Sequence, residues 1–212
     1  MTAGDDDIAI VHADAWLLVV EKPAGLLSVP GRSPEHQDCV ISRLQQRYLD
    51  ALTVHRLDQV TSGLMVFARD PETHRRLSTA FAARAVDKTY EAWVEGHVEG
   101  EKGRIELPLI CDWPNRPRQV VDHASGKPAI TEWQVLVRDD AAGQTRVALH
   151  PLTGRSHQLR VHMAEMGHPI VGDTFYGASP ASRTCLHASG LGFVHPGTGT
   201  ACVWHSPAPF GR

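Results

Sequence analysis

The chain has 212 residues, enough for a full hydrophobic core, and its 42% hydrophobic and 21% charged content is ordinary for a globular protein. A net charge of −3 excludes nucleic-acid binding through bulk positive charge, so any such contact needs a local basic patch. The acidic start from Met1 to Asp7 is unlike a signal peptide, no apolar run approaches the roughly 20 residues that span a bilayer, and the four scattered cysteines form no C-x-x-C pair. We therefore expect a cytoplasmic protein.

The first half of the chain predicts strands and helices joined by loops rich in proline and glycine. In chain order these are strands at 8–12 and 16–21, a loop at 22–31, a helix at 38–48, a strand at 64–68 and a helix at 71–83. Asp38 and Asp70 are the expected N-caps, and Pro71 suits the first helical position. The continuous apolar run at 64–68 indicates a strand buried on both faces.

The second half predicts more strands than helices. In chain order we expect a strand at 88–96, an ordered loop at 107–117, paired strands at 129–137 and 145–149, a helix from 156 to about 166, a turn-rich link at 169–177, and strands at 186–194 and 201–204. Regular helical spacing places Arg160 roughly opposite Met163 and so outside the core. The pattern predicts an α+β fold with a large, mostly antiparallel sheet, in one domain over residues 1–212.

Asp58 is the first candidate for chemistry. It lies in the sequence His-Arg-Leu-Asp-Gln-Val-Thr-Ser-Gly, just before the buried strand. In an extended chain Arg56 and Asp58 project to the same side. A loop carboxylate beside an obligate cation on a rigid strand is what an ionised nucleophile needs. An Arg–Asp pair that closes a turn is nevertheless the simpler explanation of these residues taken alone.

Aromatic and basic residues provide further candidates. Tyr90 lies in a predicted strand, where a tyrosine more often packs into a core or rim than stacks on a base. Trp113 and Arg116 lie close together in a loop, a combination that suits base and phosphate contact. The alternative is that the tryptophan and prolines of this loop simply pack against the protein. His157 and His162 are five apart, about 140° around a helix, which argues against a metal site.

Three segments resemble the motifs of the RluA family of pseudouridine synthases, in the order found there. They are 55–69, 87–90 and 152–162, and the likeness extends from about Ile8 to Phe210. The segment 111–117 is similar to the short subgroup that acts on 23S ribosomal RNA and on transfer RNA anticodon loops. The resemblance implies the pseudouridine synthase fold: a mixed, mostly antiparallel sheet in two lobes with a central active-site cleft. We therefore expect no S4-like RNA-binding domain of the kind that many longer relatives carry.

The resemblance also implies a reaction and its catalytic residues. A specific uridine in RNA is isomerised to pseudouridine without cofactor or metal. Asp58 is the expected nucleophile or general base, and attack on the ribose, attack on the base and proton removal from the ribose stay open. Arg160 is the candidate ion-pair partner of Asp58, and Tyr90 is expected to stack on the flipped uracil.

The partner implied is RNA, from ribosomal RNA, transfer RNA or both. Arg56 is expected to occupy the space left by the flipped nucleotide, and Arg155 and Arg116 are weaker candidates for phosphate contact. Nothing in the sequence indicates an obligate dimer, so we expect a monomer.

Two other classes of function compete with this interpretation. A catalytically silent RNA-binding module would be expected to have lost Asp58, Tyr90 or Arg160, and all three are present. A hydrolase that uses Asp58 with a histidine would be expected to carry a nucleophile motif such as G-x-S-x-G, which the sequence lacks.

Overall fold

The computed structural model describes residues 8–211, which cluster into two compact units. The first unit comprises the chain up to Asp87 together with Ala188–Ala208, and the second comprises Lys88–His187 and the chain from Pro209 onward. The acidic start at residues 1–7, on which the signal-peptide expectation rests, lies outside the described residues. Within the described part of the chain, no helix has the length and apolar character needed to cross a membrane.

Strands outnumber helices among residues 8–211. The first unit begins with β1 (Ala9–Ala13), β2 (Leu17–Lys22), α1 (Val40–Leu44), β3 (Leu52–Thr53), β4 (Ser62–Ala68) and α2 (Pro71–Ala82). The next elements are β5 (Asp87–Glu95), β6 (Lys102–Glu106), β7 (Leu109–Cys111), β8 (Gln119–Val121), β9 (Ile130–Asp139), β10 (Gln144–Pro151) and α3 (Gln158–Glu165). The last strands are β11 (Leu186–Val194) and β12 (Ala201–His205). This content confirms the predicted α+β class with a mostly antiparallel sheet.

The first unit is built on a sheet with the order β1-β2-β4-β11, in which β12 pairs with β11 and β3 pairs with β4. Strand β2 pairs antiparallel with β1 and β4, and β12 pairs antiparallel with β11. Every residue of β4 is buried, which confirms the prediction from its continuous apolar run. The core on this sheet includes Val66, Leu77 and Phe193.

Helix α2 follows its local sequence signals closely. The Asp70 carboxylate accepts the backbone N–H of Thr73 at 2.9 Å, and Pro71 is the first helical residue. Both observations confirm the predicted helix start, because an N-cap side chain satisfies a donor that the helix leaves unpaired. Leu77 is the buried apolar residue of α2 and packs in the core on this sheet, with Phe81 packed against the same cluster.

The second unit contains an antiparallel sheet with the order β5-β10-β9-β6 and a separate hairpin of β7 and β8. Strands β9 and β10 form the predicted hairpin. Leu159 and Met163 of α3 join the buried cluster on this sheet, together with Leu149 and Trp133. Helix α3 is thereby attached to the sheet by its apolar residues.

Two predicted elements were wrong in extent or type. The helix expected at 38–48 is only α1, and its N-cap is Cys39 rather than Asp38. The Asp38 carboxylate instead accepts from Arg43 at 2.7 and 2.6 Å, so it is not available to cap the helix. The segment 107–117 was expected to be a loop, but Leu109–Cys111 forms strand β7. Strands β7 and β8 have three residues each, which is too short to show alternation. Strand β6 was missed because Ile105 is its only apolar residue.

Candidate active site

Asp58 lies in the irregular segment between β3 and β4. The side chain of Leu57 is buried and anchors this segment, whereas Arg56 is exposed and Asp58 is partly exposed. The backbone N–H of Thr61 donates to the carbonyl oxygen of Asp58 at 3.1 Å, which closes a turn directly after the carboxylate. Asp58 is therefore the turn carboxylate that the sequence predicted, placed just before a fully buried strand.

The residue before Asp58 is held by Ser28. The hydroxyl of Ser28 accepts the backbone N–H of Leu57 at 3.0 Å and donates to the carbonyl oxygen of Leu57 at 2.7 Å. Ser28 is 2% exposed, so both hydrogen bonds are shielded from water. One serine hydroxyl thus satisfies both backbone groups of the residue that separates Arg56 from Asp58.

The residue after Asp58 is held by the same loop. The buried ammonium group of Lys22 donates to the carbonyl oxygen of Gln59 at 3.0 Å and to that of Pro23 at 2.8 Å. The backbone N–H of Gly25 donates to the Gln59 carbonyl at 2.8 Å, and the Gln59 side-chain amide donates back to the Gly25 carbonyl at 2.9 Å. The loop at 22–31 is therefore more than a stiff connector, because it fixes the backbone on both sides of Asp58.

Gly63 allows β4 to approach β11 closely. Its φ is +114°, and a Cβ at this position would lie 2.3 Å from the carbonyl oxygen of Ala188. Any other residue would collide with backbone there, in a conformation that L-residues rarely adopt. Close packing against the Ala188 backbone therefore requires a glycine after Thr61 and Ser62 in the motif.

Arg160 is buried in α3, so its predicted position outside the core was wrong. The residue is 5% exposed, and every residue from 158 to 163 is buried. Its guanidinium donates from Nε to Oδ2 of Asp173 at 2.7 Å and from Nη2 to Oδ1 at 2.8 Å. The prediction misjudged the geometry, because residues three apart on a helix are only about 60° apart and Arg160 therefore flanks the apolar face of Met163. The carboxylate of Asp173 allows an arginine to be buried there.

Aromatic rings surround the guanidinium of Arg160 as well. The ring centroid of Tyr176 lies 4.9 Å from Cζ of Arg160, and that of Phe175 lies 5.7 Å away. The hydroxyl oxygen of Tyr176 accepts the backbone N–H of Gln119 at 3.0 Å and lies 2.7 Å from Nδ1 of His157. Tyr176 therefore links the start of β8, the start of α3 and the arginine.

Gln158 fixes the turn that carries Arg155. Its side-chain oxygen accepts from the hydroxyl of Thr153 at 2.6 Å and from the backbone N–H of Arg155 at 3.0 Å. Its amide nitrogen donates to the carbonyl oxygen of Ile130 at 2.9 Å, so the turn is attached to β9. The Arg155 side chain is partly exposed, and its Nε donates to the Pro128 carbonyl at 3.1 Å.

Tyr90 is half-buried in β5, where it lies opposite Leu149 of β10 and packs against the core of the second unit. Part of the ring therefore has the packing role that tyrosines in strands usually have. The partial exposure is also compatible with stacking on a base.

The tip of the β7–β8 hairpin presents an exposed aromatic and basic pair. Trp113 is 65% exposed, and Cζ of Arg116 lies 4.6 Å from the centroid of its ring. The base of the hairpin is fixed, because Leu109 belongs to a buried cluster with Val161 and Tyr176. The alternative that Trp113 packs down is wrong, since most of its surface faces solvent.

Among residues 8–211, the structure brings together one group of side chains with metal-ligand spacing: His12, Asp14 and His195. Nδ1 of His195 accepts the backbone N–H groups of Gly197 and Thr198 at 3.1 Å, so the proton of this ring is on Nε2, which faces Asp14 Oδ2 at 2.8 Å. Burial opposes ionisation of Asp14, but hydrogen bonds from both histidines and two backbone N–H groups hold its pKa well below the usual range. The three side chains therefore form a hydrogen-bonded cluster that joins β1 and the turn after it to the segment after β11 in the first unit.

The predicted site residues are divided between the two units. Asp58 and Arg56 belong to the first unit, and the second contains Tyr90, Arg116, Arg155 and Arg160. In the second unit, Arg155 and Arg160 lie at the start of α3. The Tyr176 hydroxyl connects this helix start to the first residue of β8, which follows the hairpin loop that carries Arg116.

Sequence reasoning missed the supporting residues. Ser28 and Lys22 lie in a segment interpreted mainly through its prolines and glycines, and Asp173 and Tyr176 lie in the turn-rich link. An acidic residue after Gly172 in a turn that follows an arginine-bearing helix was the available signal for Asp173.

Comparison with known proteins gives one consistent family. The family model described as RNA pseudouridylate synthase matches residues 16–165. A Yersinia pestis protein named dual-specificity RNA pseudouridine synthase RluA is 51% identical over 205 residues, which are 95% of this chain and 99% of that protein. The protein of the same name from Escherichia coli K12 is 50% identical over 209 residues, which are 96% of this chain and 94% of the relative.

Solved structures agree on the fold. Human RNA Pseudouridylate Synthase Domain Containing 1 matches with a TM-score of 0.81 and 28% identity, over 99% of this chain and 87% of that one. Human RNA Pseudouridylate Synthase Domain Containing 4 matches with a TM-score of 0.76 and 25% identity, over 95% of this chain and 88% of that one. The predicted pseudouridine synthase fold is confirmed.

Proposed function

The chain belongs to the RNA pseudouridylate synthase family, and on that premise we propose that it isomerises specific uridines of 23S ribosomal RNA, of transfer RNA anticodon stem-loops, or of both. The reaction breaks the N-glycosidic bond, turns the uracil and forms a C–C bond to the same ribose. The similar proteins from Yersinia pestis and Escherichia coli are named dual-specificity RNA pseudouridine synthases, which supports two substrates for this chain too.

The observation that carries this proposal is the fixation of the backbone around Asp58. Ser28 binds both backbone groups of Leu57, and Lys22 and Gly25 bind the carbonyl of Gln59. A carboxylate that must act at one atom of a bound nucleotide gains from being held before the substrate arrives, because less ordering is then left to the transition state.

Asp58 is the proposed nucleophile or general base. Each route requires an ionised carboxylate in a site closed by RNA, where loss of water disfavours the charge. Arg160 is the proposed cation that offsets this cost, and Tyr90 is the proposed stacking partner of the flipped uracil.

RNA contact is proposed for three further arginines. Arg56 is exposed beside Asp58 and is assigned to the space left by the flipped nucleotide. Arg155 is assigned to phosphate contact at the turn before α3. Arg116 is assigned to phosphate contact at the hairpin tip, where Trp113 offers a large exposed ring for base stacking.

We also propose that the enzyme needs no cofactor or metal, acts as a monomer and works in the cytoplasm. An isomerisation consumes no second substrate and transfers no electron. The substrates proposed here are cytoplasmic RNAs, and a single chain supplies all of the residues assigned above.

The test is tritium release from RNA labelled with [5-³H]uridine, with 23S ribosomal RNA and total transfer RNA offered separately. We expect release from both with the wild-type chain and none with Asp58→Asn, which is nearly isosteric but uncharged. RNA affinity of this variant should stay within about tenfold of wild type, roughly 1.4 kcal/mol. Asp38→Asn is the matched control, because it makes the same substitution in an exposed Asp–Arg ion pair of the same unit.

The outcomes separate the alternatives. Substantial release by Asp58→Asn would refute the assignment of Asp58. Release from one RNA alone would keep the enzyme and discard the dual specificity. Binding without release by the wild type would leave the silent RNA-binding module, and hydrolysis without pseudouridine would leave the hydrolase.

A further inference from the structure

We propose that Asp173 is a positioning residue for the reaction, because its buried carboxylate fixes the orientation of the Arg160 guanidinium. This proposal rests on the catalytic role assigned to Arg160 above. Asp173 belongs to the turn that follows α3, outside the segments that resemble the family motifs.

The geometry of the pair determines both the place and the plane of the guanidinium. Nε and Nη2 of Arg160 bind the two carboxylate oxygens of Asp173 at 2.7 and 2.8 Å. Because the guanidinium is planar and rigid, two parallel hydrogen bonds leave it no freedom to rotate. The hydrogens on Nη1 take no part in these two bonds and point away from Asp173.

The burial of the pair argues for a task beyond stability. The side chains of Arg160 and Asp173 are 6% and 2% exposed. Removing two charges from water is costly, and well-packed apolar residues of similar volume often stabilise a fold equally well or better. A buried arginine with a fixed plane is, however, what an enzyme needs to direct a cation at a reacting group.

Asp173 is itself held rigidly. Its backbone N–H donates to the Ile170 carbonyl at 2.9 Å, and its carbonyl accepts the N–H groups of Tyr176 at 3.0 Å and Ala178 at 3.2 Å. The Tyr176 ring lies against the guanidinium of Arg160. The carboxylate therefore has a fixed base, and the arginine is confined by a ring as well as by an anion.

The first test is the kinetics of Asp173→Asn in the tritium-release assay. The amide keeps the shape but presents one acceptor and one donor to two N–H donors, so one of the two hydrogen bonds is replaced by a repulsive contact. We expect kcat to fall at least about tenfold while KM stays within about threefold, because an orientation needed for the chemical step is lost.

A double-mutant cycle separates positioning from a general effect. If Asp173 acts through Arg160, then Asp173→Asn should lower kcat in the wild-type chain but leave the residual rate of Arg160→Ala unchanged. Equal fold-losses in both backgrounds would overturn the proposal. A wild-type kcat for Asp173→Asn would also overturn it.

Folding is measured in parallel by thermal unfolding of each variant. If Asp173→Asn is unfolded at the assay temperature, Asp173→Glu replaces it, because it keeps the charge pair while its extra methylene displaces the guanidinium. A folded Asp173→Glu with reduced kcat supports the proposal, and a wild-type kcat from this variant overturns it.

Glu91→Gln is the matched control. It breaks the Arg146–Glu91 ion pair on the sheet of the same unit and should leave kcat unchanged. An inactive wild type would refute the proposed function instead, so the failures of the two proposals are distinguishable.

Discussion

Replacement of Ser28 by alanine tests whether the support around Asp58 matters for stability and rate. The variant removes one oxygen and nothing else. It leaves the N–H and the carbonyl of Leu57 without the partners that they have at 3.0 and 2.7 Å. Both groups lie in a shielded place, because Ser28 is 2% and Leu57 7% exposed.

The magnitude follows from these two groups. A buried backbone group that loses its hydrogen bond costs about 1 to 3 kcal/mol, so two such groups destabilise the fold by about 2 to 4 kcal/mol after partial relaxation. For a chain of 212 residues this corresponds to a fall in Tm of about 5 to 15 °C. Release of the Leu57 backbone should also let Asp58 move, and we expect kcat to fall about tenfold or more.

Urea unfolding and single-turnover tritium release measure the two effects on the same samples. Ser33→Ala is the matched control, because the hydroxyl of Ser33 makes an exposed contact with His36 in the same unit. The control should change stability by less than about 0.5 kcal/mol. A Ser28→Ala enzyme with the stability and kcat of the control would refute the reasoning.

Two further predictions concern the fold. Gly63→Ala should lower the free energy of unfolding in urea by more than about 3 kcal/mol, because its Cβ would collide with the Ala188 backbone. The control Gly143→Ala has φ of +61° but open space around it, and should cost about 1 to 2 kcal/mol. Equal losses in the two variants would contradict the close approach of β4 to β11. Burial lowers the pKa of His162, and a hydrogen bond to the Leu107 carbonyl partly opposes this effect. Below about pH 6.5 the unfolded chain therefore binds a proton at His162 more readily than the folded chain does. Stability should therefore fall as pH drops below about 6.5, by at most about 1.4 kcal/mol per pH unit for this group, and the pH dependence should be weaker in His162→Gln. Parallel pH curves for the variant and the wild type in thermal unfolding would contradict it.

Local signals in the sequence were sufficient for several elements. Asp70 and Pro71 start α2, and the continuous apolar run of β4 produces a strand with every residue buried. These predictions succeeded because a cap, a proline at the first position and a hydrophobic run act over a few neighbouring residues. The motif around Asp58 is also local, and it predicted the turn beside this residue without tertiary information.

Burial and support of the site depended on contacts between distant parts of the chain. The periodicity of α3 placed Arg160 outside the core, but Asp173, thirteen residues later, binds it inside. Short strands such as β7 exist only because β8 pairs with them, so their own sequence predicts little.

The sequence alone thus determined the family, the fold class and the candidate carboxylate, through local patterns and motif likeness. Only the tertiary structure showed which residues hold the backbone around this carboxylate. Ser28 reaches Leu57 across 29 positions of the chain, and Lys22 reaches Gln59 across 37. The physical reason is that hydrogen bonds and ion pairs act over a few ångströms, and only the folded chain brings such distant residues within that range.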